Sequence, residues 1–308
     1  MSLHPFTFSG RIQKQWKRYW EYYIMLLPAL FLLLAFKYLP MWGIQIAFRD
    51  FNIFDGISSG KWIGFFQFER LFTSDEFYQV LFNTCIISFY KIIFLFPMGV
   101  IIALVLNEIR CNIFKRLTQT LIYIPHFLSW VVIFGLFTSI LSSNGIFNKL
   151  VTALGGEAVS YMVSPRWFRT ILVFTAGWKE CGWNAIVFIA AIAGIEQEMY
   201  EAAKIDGAGR LRQIWSITIP SILPTIMLML ILRIGNLLTA GTEQILTMYS
   251  PVVYDVADVI GTYIYRIGLG KMEYSFSTAV GLFESVVGFA LVITGNYLSR
   301  KFTDSSIW

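Results

Sequence analysis

Long apolar stretches separated by short polar ones dominate this chain. Six of them approach or exceed the roughly 20 mostly apolar residues that a helix needs to cross a bilayer. They lie at about 22–39, 80–106, 117–140, 169–193, 217–238 and 277–298. Because lipid offers the backbone no hydrogen bonds, a spanning segment is either a helix or a strand of a closed barrel. These runs are too long for barrel strands and lack their strict alternation, so the pattern predicts an all-α membrane protein with six transmembrane helices.

Composition supports this prediction. The chain has 308 residues, of which 56% are hydrophobic and 14% are charged, whereas a soluble domain carries about 25% charged residues. The excess apolar surface must therefore face lipid. The net charge of +5 does not indicate nucleic-acid binding, because the basic residues form short clusters beside the apolar runs, as in membrane topology signals.

The basic clusters also predict the orientation. One set of loops is short and dense in positive charge, and the loops of the opposite set are longer and sparser. The dense set contains Arg11, Lys14, Lys17, Arg18, Arg110, Lys115, Arg116, Lys204, Arg210, Arg212, Arg300 and Lys301. Loops of this kind lie in the cytoplasm. We therefore predict a multi-pass protein of a cytoplasmic membrane with both termini in the cytoplasm.

The N-terminal run and the cysteines do not change the predicted fold. The basic start followed by an apolar run resembles a signal peptide, but no small-residue cleavage pattern follows, so the run is interpreted as a retained first span. Cys85, Cys111 and Cys181 are far apart and lie in or at the end of apolar runs. They show neither a disulfide framework nor a zinc spacing and are interpreted as packing residues.

Proline and small residues add local predictions. Four spans contain proline, which removes a helix hydrogen bond and favours a kink; the residues are Pro28, Pro97, Pro125, Pro220 and Pro224. In the last span, small residues recur on one face, and such a face predicts close helix packing in lipid. These are Gly281, Ser285, Gly288 and Gly295.

The loop between the fourth and fifth spans carries a motif of fixed spacing. Glu-Ala-Ala at 201–203 is followed after three intervening residues by Gly207 and, after nine more intervening residues, by Ile217, Ile219 and Pro220. Residues 196–203 are rich in helix formers, which predicts a short helix there. Glycine suits the left-handed residue that often ends a helix, so the helix is predicted to end near Gly207.

The side chains of this short helix favour an interaction role. Ala202 and Ala203 are predicted to be exposed, and their small size would let a groove of another protein approach closely. Glu201 and Asp206 offer charged partners, and Arg210 lies in the basic turn that follows. The alternative is an ordinary helical connector, which does not explain the spacing out to the proline.

The chain resembles the permease subunits of sugar-type ABC importers. It is similar to the maltose-importer-like branch and specifically to the polysaccharide-importer (LplB-like) permeases. Besides the loop motif, the resemblance rests on 123–130 (YIPHFLSW), 177–184 (GWKECGWN), 241–245 (GTEQI) and 263–268 (YIYRIG). It covers essentially the whole chain and departs from the motif at Ile219, where the family has leucine.

The resemblance implies a fold and a set of partners. The fold is that of a type I ABC importer permease with a cytoplasmic coupling helix in a loop at about 195–216. The implied limits are a cytoplasmic N-terminal segment at 1–20, a six-span permease domain at 21–300 and a cytoplasmic tail at 301–308. The implied partners are a second permease subunit, two ATPase subunits and an extracellular, lipid-anchored solute-binding protein.

The implied role is transport rather than catalysis. The sequence contains no G-x-x-x-x-G-K-[ST] phosphate loop, no nucleophile elbow and no metal-ligand cluster. ATP and magnesium are accordingly expected on the partner ATPase subunits, and no cofactor is expected on this chain. The resemblance implies that the ATPase is contacted by Glu201, Ala202, Ala203, Asp206, Gly207 and Arg210.

Charged and amide residues within the spans are candidates for the translocation path. A charge near the bilayer centre costs about 2.5–3.5 kcal/mol on insertion scales, so it needs a partner or a water-filled cavity. Aromatic faces beside hydrogen-bonding groups also suit sugars. The candidates are Trp178, Lys179, Glu180, Asn184, Arg233, Asn236 and Glu284.

An alternative role for these residues stays open. Lys179 or Arg233 would then neutralise Glu180 or Glu284 and hold helices together. Lys91 is a weaker candidate, and His126 is interpreted as a helix-packing residue rather than a proton relay.

Three functions fit the sequence to different degrees. The first is half of an ATP-driven importer for oligosaccharides or polysaccharide fragments. The second is an ABC importer permease for a non-sugar solute, which the loop motif does not exclude. The third is an ion-coupled secondary transporter, which would be expected to show duplicated halves; no repeat is visible in the sequence.

Overall fold

The computed structural model describes residues 8–54, 56 and 60–303, with side chains from residue 18 to residue 301. The predicted end segments, 1–20 and 301–308, therefore lie partly outside the described residues. In chain order the α-helices are α1 (Phe8–Leu33), α2 (Phe66–Phe72), α3 (Asp75–Glu108), α4 (Asn112–Tyr123), α5 (Trp130–Leu141), α6 (Ile146–Ala153), α7 (Pro165–Ala193), α8 (Gln197–Ile205), α9 (Arg210–Gln213), α10 (Ile219–Gly235), α11 (Thr242–Met248), α12 (Tyr254–Ala257), α13 (Ile260–Tyr265) and α14 (Tyr274–Thr303).

Short irregular helices extend several of these. Three π-helical turns span Leu34–Tyr38, Ile214–Thr218 and Arg266–Gly270, and 3-10 helices span Leu39–Phe48, Ile124–Phe127, Tyr161–Val163, Leu237–Thr239 and Pro251–Val253. Two short strands, β1 (Arg49–Asp50) and β2 (Lys61–Trp62), pair antiparallel with Arg49 opposite Trp62. The segments between the predicted spans thus contain short helices and turns.

Five described stretches are long and apolar enough to cross a membrane. They are Arg18–Phe48, Asp75–Glu108, Trp130–Ala153, Arg210–Gly235 and Tyr274–Lys301. α7, at 29 residues, is long enough as well, but Lys179, Glu180 and Asn184 lower its hydropathy. It packs along the whole of α3, and both helices bury one side in the bundle. The predicted count of six is thus approximately consistent with the structure.

The third predicted span, 117–140, is not one continuous helix. α4 ends at Tyr123, and α5 begins only after Ser129, whose hydroxyl accepts a hydrogen bond from the Val132 amide at 3.3 Å. Pro125 lies in the intervening 3-10 turn. Because proline has no N–H, it cannot continue the helical ladder. Hydropathy alone did not reveal the break, since both flanks are apolar.

The break lets α4 approach α7 at a glycine. A Cβ at Gly182 would lie 2.4 Å from the carbonyl oxygen of Ile122 and 2.2 Å from its Cγ2. Real Cβ atoms do not come this close to a backbone oxygen, so the two helices touch only because residue 182 has no side chain. Close approach through small residues is the usual mode of packing between helices in lipid.

Gly182→Ala is therefore expected to destabilise the protein. Overpacking a tight contact costs about 1–3 kcal/mol, and here the obstacle is backbone. We expect a clearly lower melting temperature of the detergent-purified chain by intrinsic fluorescence. Gly135→Ala is the matched control, because a Cβ at Gly135 meets nothing within 4 Å. Equal melting temperatures for the two variants would contradict the proposed contact.

Two glycines of the small-residue face of the last span pack against a neighbouring helix as predicted, whereas Ser285 of the same face is exposed. A Cβ at Gly288 would lie 3.3 Å from the carbonyl oxygen of Gly235, and one at Gly295 would lie 3.6 Å from Ile231. Both contacts are with α10, which packs along α14. Gly288 and Gly295 therefore serve helix packing.

α3 runs from one end of the bundle to the other, so the contacts at its two termini show which elements lie at each end. Its 34 residues correspond to about 50 Å at 1.5 Å per residue. At its start, Arg266 bridges Glu76 at 2.8 Å and Asp258 at 2.6 Å. At its other end, Glu108 lies 3.8 Å from Arg210 of α9. The loop motif therefore lies at the opposite end of the bundle from the Arg266 cluster.

Candidate functional site

An ion pair joins the two central spans α7 and α10. Arg233 Nη2 lies 3.2 Å from Glu180 Oε2, and the side chains are 32% and 29% exposed. The pair borders a cavity of about 130 Å³. Its walls come from α3, α7, α10 and the turn after α10, and they comprise Ser88, Lys91, Ile92, Glu180, Arg233, Asn236, Leu237, Thr239, Ala240 and Gly241.

Lys91 stabilises the part of the cavity wall that the turn after α10 forms. Its buried ammonium donates hydrogen bonds to the carbonyl oxygen of Ala240 at 2.9 Å and to Gln244 Oε1 at 2.6 Å. Ala240 and Gly241 both have positive φ, at 47° and 77°, so the chain turns sharply there. Ammonium donors stabilise carbonyls that such a turn leaves outside the helical ladder.

Gln244 connects Lys91 to α7 by hydrogen bonds. Its amide nitrogen donates to the carbonyl oxygen of Leu172 and to Thr175 Oγ1, both at 2.8 Å. Sequence reasoning did not find Gln244 as the partner of Lys91, because 153 residues separate them. Only the intramembrane position of Lys91, which demands a partner, could have indicated that one exists.

Asn236 is the third sequence-predicted residue at this cavity. It ends α10, donates to the carbonyl oxygen of Leu232 at 3.0 Å and accepts at its own carbonyl from Thr239 Oγ1 at 2.8 Å. The structure thus brings Glu180, Arg233 and Asn236 together. Two cationic groups and one carboxylate, with hydroxyl and amide groups around them, form a polar surface that can bind hydroxyl-rich or anionic solutes.

Lys179 lies elsewhere. Its ammonium donates to the carbonyl oxygens of His126, at 2.7 Å, and Leu128, and lies 5.3 Å from the centre of the Trp130 ring. These carbonyls belong to the break between α4 and α5, where the helical ladder does not satisfy them. Lys179 therefore holds two helices together, which is the alternative role considered from the sequence, with carbonyls instead of a carboxylate as partners.

The two tryptophans also point away from the ion pair. Trp178 packs edge-on against Phe137 at 5.7 Å and lines an apolar groove of about 900 Å³ between α3, α4 and α7. Trp183 stacks on His126 at 4.2 Å with nearly parallel rings. This contact agrees with the interpretation of His126 as a packing residue.

Asn184 and Glu284 are not part of the cavity wall. Asn184 is half-buried one turn beyond Glu180 and faces Gly99 of α3. Glu284 is half-buried on α14, and the described residues include no ion pair for it. Of the seven candidates, three line one cavity, Trp178 lines the apolar groove, and Lys179 and Asn184 face neighbouring elements of the bundle.

The loop motif forms the predicted short helix. α8 spans Gln197–Ile205, close to the predicted 196–203, and ends as expected at Gly207, whose φ is 77°. The Ala208 amide donates to the carbonyl oxygen of Ala203 at 2.8 Å, which satisfies the helix end.

The exposed side of α8 presents the motif. Glu201, Ala202 and Asp206 are exposed, whereas Ala203 is half-buried. Ala203 was predicted to be exposed, but it shares a face with Tyr200, three residues earlier, which turns toward the bundle. Beside α8 a cleft of about 530 Å³ runs between the ends of α3 and α7 and the start of the fifth span.

No metal centre is found among the described residues, which contain no group of three or more histidine, cysteine, aspartate or glutamate side chains able to hold an ion. Two features of the structure are candidate functional sites, the ion-pair cavity and the exposed helix α8.

The chain is similar to known proteins over nearly its full length. It is 44% identical to Protein LplB of Bacillus subtilis, covering 93% of this chain and 90% of that protein. It is 42% identical to the polygalacturonan/rhamnogalacturonan transport system permease protein YteP of the same organism, covering 93% and 89%.

A solved structure shows the same fold. It is the crystal structure of a bacterial ABC transporter involved in the import of the acidic polysaccharide alginate. One of its chains is 40% identical and superposes with a TM-score of 0.88 over 95% of this chain and 99% of that chain. A chain of a second structure, a bacterial alginate ABC transporter in complex with an alginate pentasaccharide-bound periplasmic protein, is 39% identical and superposes with a TM-score of 0.88 over 96% of this chain and 100% of that chain.

Residues 96–304 match the family described as binding-protein-dependent transport system inner membrane components. Members of this family are transport subunits of ABC importers, and ATP is hydrolysed by separate ATPase subunits. This agrees with the exposed α8 motif, the apolar helices and the type I permease fold. The chain therefore belongs to the binding-protein-dependent transport system inner membrane components and is a multi-pass permease subunit of an ABC importer.

Proposed function

We propose that this permease imports oligosaccharides or polysaccharide fragments through a path that passes the Glu180–Arg233 cavity. The observation that carries the proposal is the polar cavity between three spans, in a chain whose relatives are named for polygalacturonan, rhamnogalacturonan and alginate transport. Lys91 and Arg233 supply two positive charges against the single carboxylate of Glu180. This balance favours acidic sugars.

The proposed assembly contains four further chains. A second permease would complete the path, two ATPase subunits would bind ATP and magnesium, and a lipid-anchored solute-binding protein would deliver the sugar from outside. α8 would lie in the cytoplasm in a cleft of one ATPase subunit, contacting it through Glu201, Ala202, Ala203, Asp206, Gly207 and Arg210. This orientation follows from the dense basic loops and places both termini inside.

Alternating access would then follow from motion of α8. Closure of the ATPase pair on ATP would displace the two coupling helices, and the spans would open outward to receive the sugar. ATP hydrolysis would reset them. The chain itself forms no bond with the solute; it contributes groups whose exposure to either side changes during the cycle.

Reconstitution tests this function. The tagged complex would be purified from its host, placed in vesicles with its solute-binding protein, and offered labelled fragments of alginate, polygalacturonan and rhamnogalacturonan beside neutral maltooligosaccharides. We expect uptake only with ATP and the binding protein, and at least tenfold faster uptake of an acidic fragment than of the neutral ones.

The controls separate the alternatives. Uptake driven by an ion gradient without ATP would contradict the ABC mechanism. Uptake of none of the sugars, with tight binding of a peptide or ion by the solute-binding protein, would contradict the substrate class and leave the mechanism intact.

A further inference from the structure

Tyr200 is the main contact of α8 with the rest of the bundle. Of the nine residues of α8, seven are exposed, and only Tyr200 and Ala203 are half-buried. The Tyr200 ring packs against the apolar cluster that joins the ends of α3, α7 and α10. The cluster consists of Ala103, Ala185, Phe188, Ile192, Ile195 and Ile222.

The hydroxyl of Tyr200 makes a specific bond. Its oxygen lies 2.9 Å from Thr218 Oγ1, 18 residues further along the chain. Thr218 is only 2% exposed and Tyr200 is half-buried, so the bond is largely shielded from water where the two residues border the cleft beside α8. Hydrogen bonds between buried groups are costly to leave unmade.

Thr218 belongs to an irregular segment of the fifth span. Ile214–Thr218 is a π-helical turn in which the amide of Ile219 donates to the carbonyl oxygen of Ile214. Pro220 follows directly and has no N–H to continue the ordinary ladder. Single π-helical turns occur frequently at functional positions, and helices kink at such turns and at proline.

The main-chain link between α8 and this turn is compliant. It passes through Gly207, in the left-handed conformation, and Gly209, in the extended one. Glycine gives such a link many accessible conformations.

The charged groups of Arg210 and Glu108 are 3.8 Å apart and largely exposed. Exposed ion pairs of this kind contribute little binding energy. Within the link, Gln213 Nε2 donates to the carbonyl oxygen of Ala208 at 2.8 Å, a bond that lies after the helix has ended. A displacement of α8 itself therefore reaches the fifth span most directly through the Tyr200 contact.

We propose that Tyr200, through its bond to Thr218, is a positioning residue that transfers movement of the coupling helix to the π-helical start of the fifth span. This inference rests on the coupling role proposed for α8. The fifth span carries Arg233, so the same helix joins the Tyr200 contact to the ion-pair cavity. Loss of the hydroxyl would leave α8 bound to its ATPase but loosely connected to the span that must move.

Tyr200→Phe tests the inference, since it keeps the ring and removes only the hydroxyl. In vesicles containing the complete complex, with the labelled fragment that the wild type imports best, we expect the sugar moved per ATP hydrolysed to fall about fivefold, the effect of one net hydrogen bond. Thr218→Val should give the same fall. The double variant should be no worse than either single one, because both remove one interaction.

Two controls separate this role from a structural one. Thr218→Ser keeps the hydroxyl and should restore wild-type coupling, and melting temperatures should stay within the wild-type range. Normal sugar-to-ATP ratios in Tyr200→Phe, or additive losses in the double variant, would overturn the inference.

Cross-linking distinguishes failure of this inference from failure of the coupling role. Ala202→Cys, combined with a cysteine in the ATPase cleft, should cross-link with and without Tyr200→Phe. Cross-links with normal coupling in Tyr200→Phe would overturn the inference alone. Absence of cross-links in both backgrounds would overturn the coupling role of α8 and the inference with it.

Discussion

Ala202→Trp is expected to abolish ATP-dependent transport while leaving the chain folded in the membrane. Ala202 lies on the exposed side of α8, where the family motif has a small residue, and the proposed ATPase cleft must approach it closely. A tryptophan there would hold the two surfaces apart by the thickness of its ring. We expect at least a tenfold loss of uptake in vesicles and loss of the ATPase subunits from the purified complex.

The matched control for this prediction is Ala158→Trp. Ala158 is also exposed, but it lies between α6 and α7, in a loop predicted to be outside the cell. It should retain transport and all subunits. Ala202→Ser, a change of one oxygen, should retain both as well. If Ala202→Trp transported normally with its ATPase bound, α8 would not be the coupling surface.

Glu180→Gln is expected to reduce uptake at least tenfold while the complex still assembles. The change leaves Arg233 without its carboxylate partner, 3.2 Å away, in a segment where a lone charge costs about 2.5–3.5 kcal/mol. Arg233 is then expected to seek another partner and to alter the cavity wall. Labelled-sugar uptake measures the loss, and co-purification of the subunits measures assembly.

Glu157→Gln is the control for neutralising a carboxylate, because Glu157 is exposed outside the spans. Where Glu180→Gln prevented assembly, the exchange of Glu180→Arg with Arg233→Glu would keep the pair and test the cavity. It should assemble and change the preference between acidic and neutral sugars. Normal import by Glu180→Gln would show that this cavity is not on the path.

Local signals in the sequence predicted α8 well. Helix formers and the glycine that ends the helix act within a few residues, so its start, its end and its Gly207 cap followed from the sequence. The side of α8 that faces the bundle did not, because the position of Tyr200 against Thr218 depends on the fold. Ala203 was for that reason predicted to be more exposed than it is.

The intramembrane polar residues were predicted as candidates for the translocation path. Which of them line the cavity did not follow from the sequence. Trp178 and Lys179 adjoin Glu180 in sequence, yet successive helical positions point about 100° apart. They therefore reach an apolar groove and a helix break instead of the cavity. Pro125 was a sequence indication of the break. Because the residues on both sides are apolar, hydropathy averaged over a window did not show it.

The contact of Lys179 with the break between α4 and α5 implies that two positions of the chain evolve together. A discontinuous span exposes carbonyl groups that hydrocarbon cannot solvate, and here a cation from a neighbouring span supplies the missing donors. Within a bilayer, either feature alone would leave a polar group without a partner. Across descendants of a common ancestor, the proline that interrupts the span and the lysine that satisfies it should accordingly be inherited, or replaced, together.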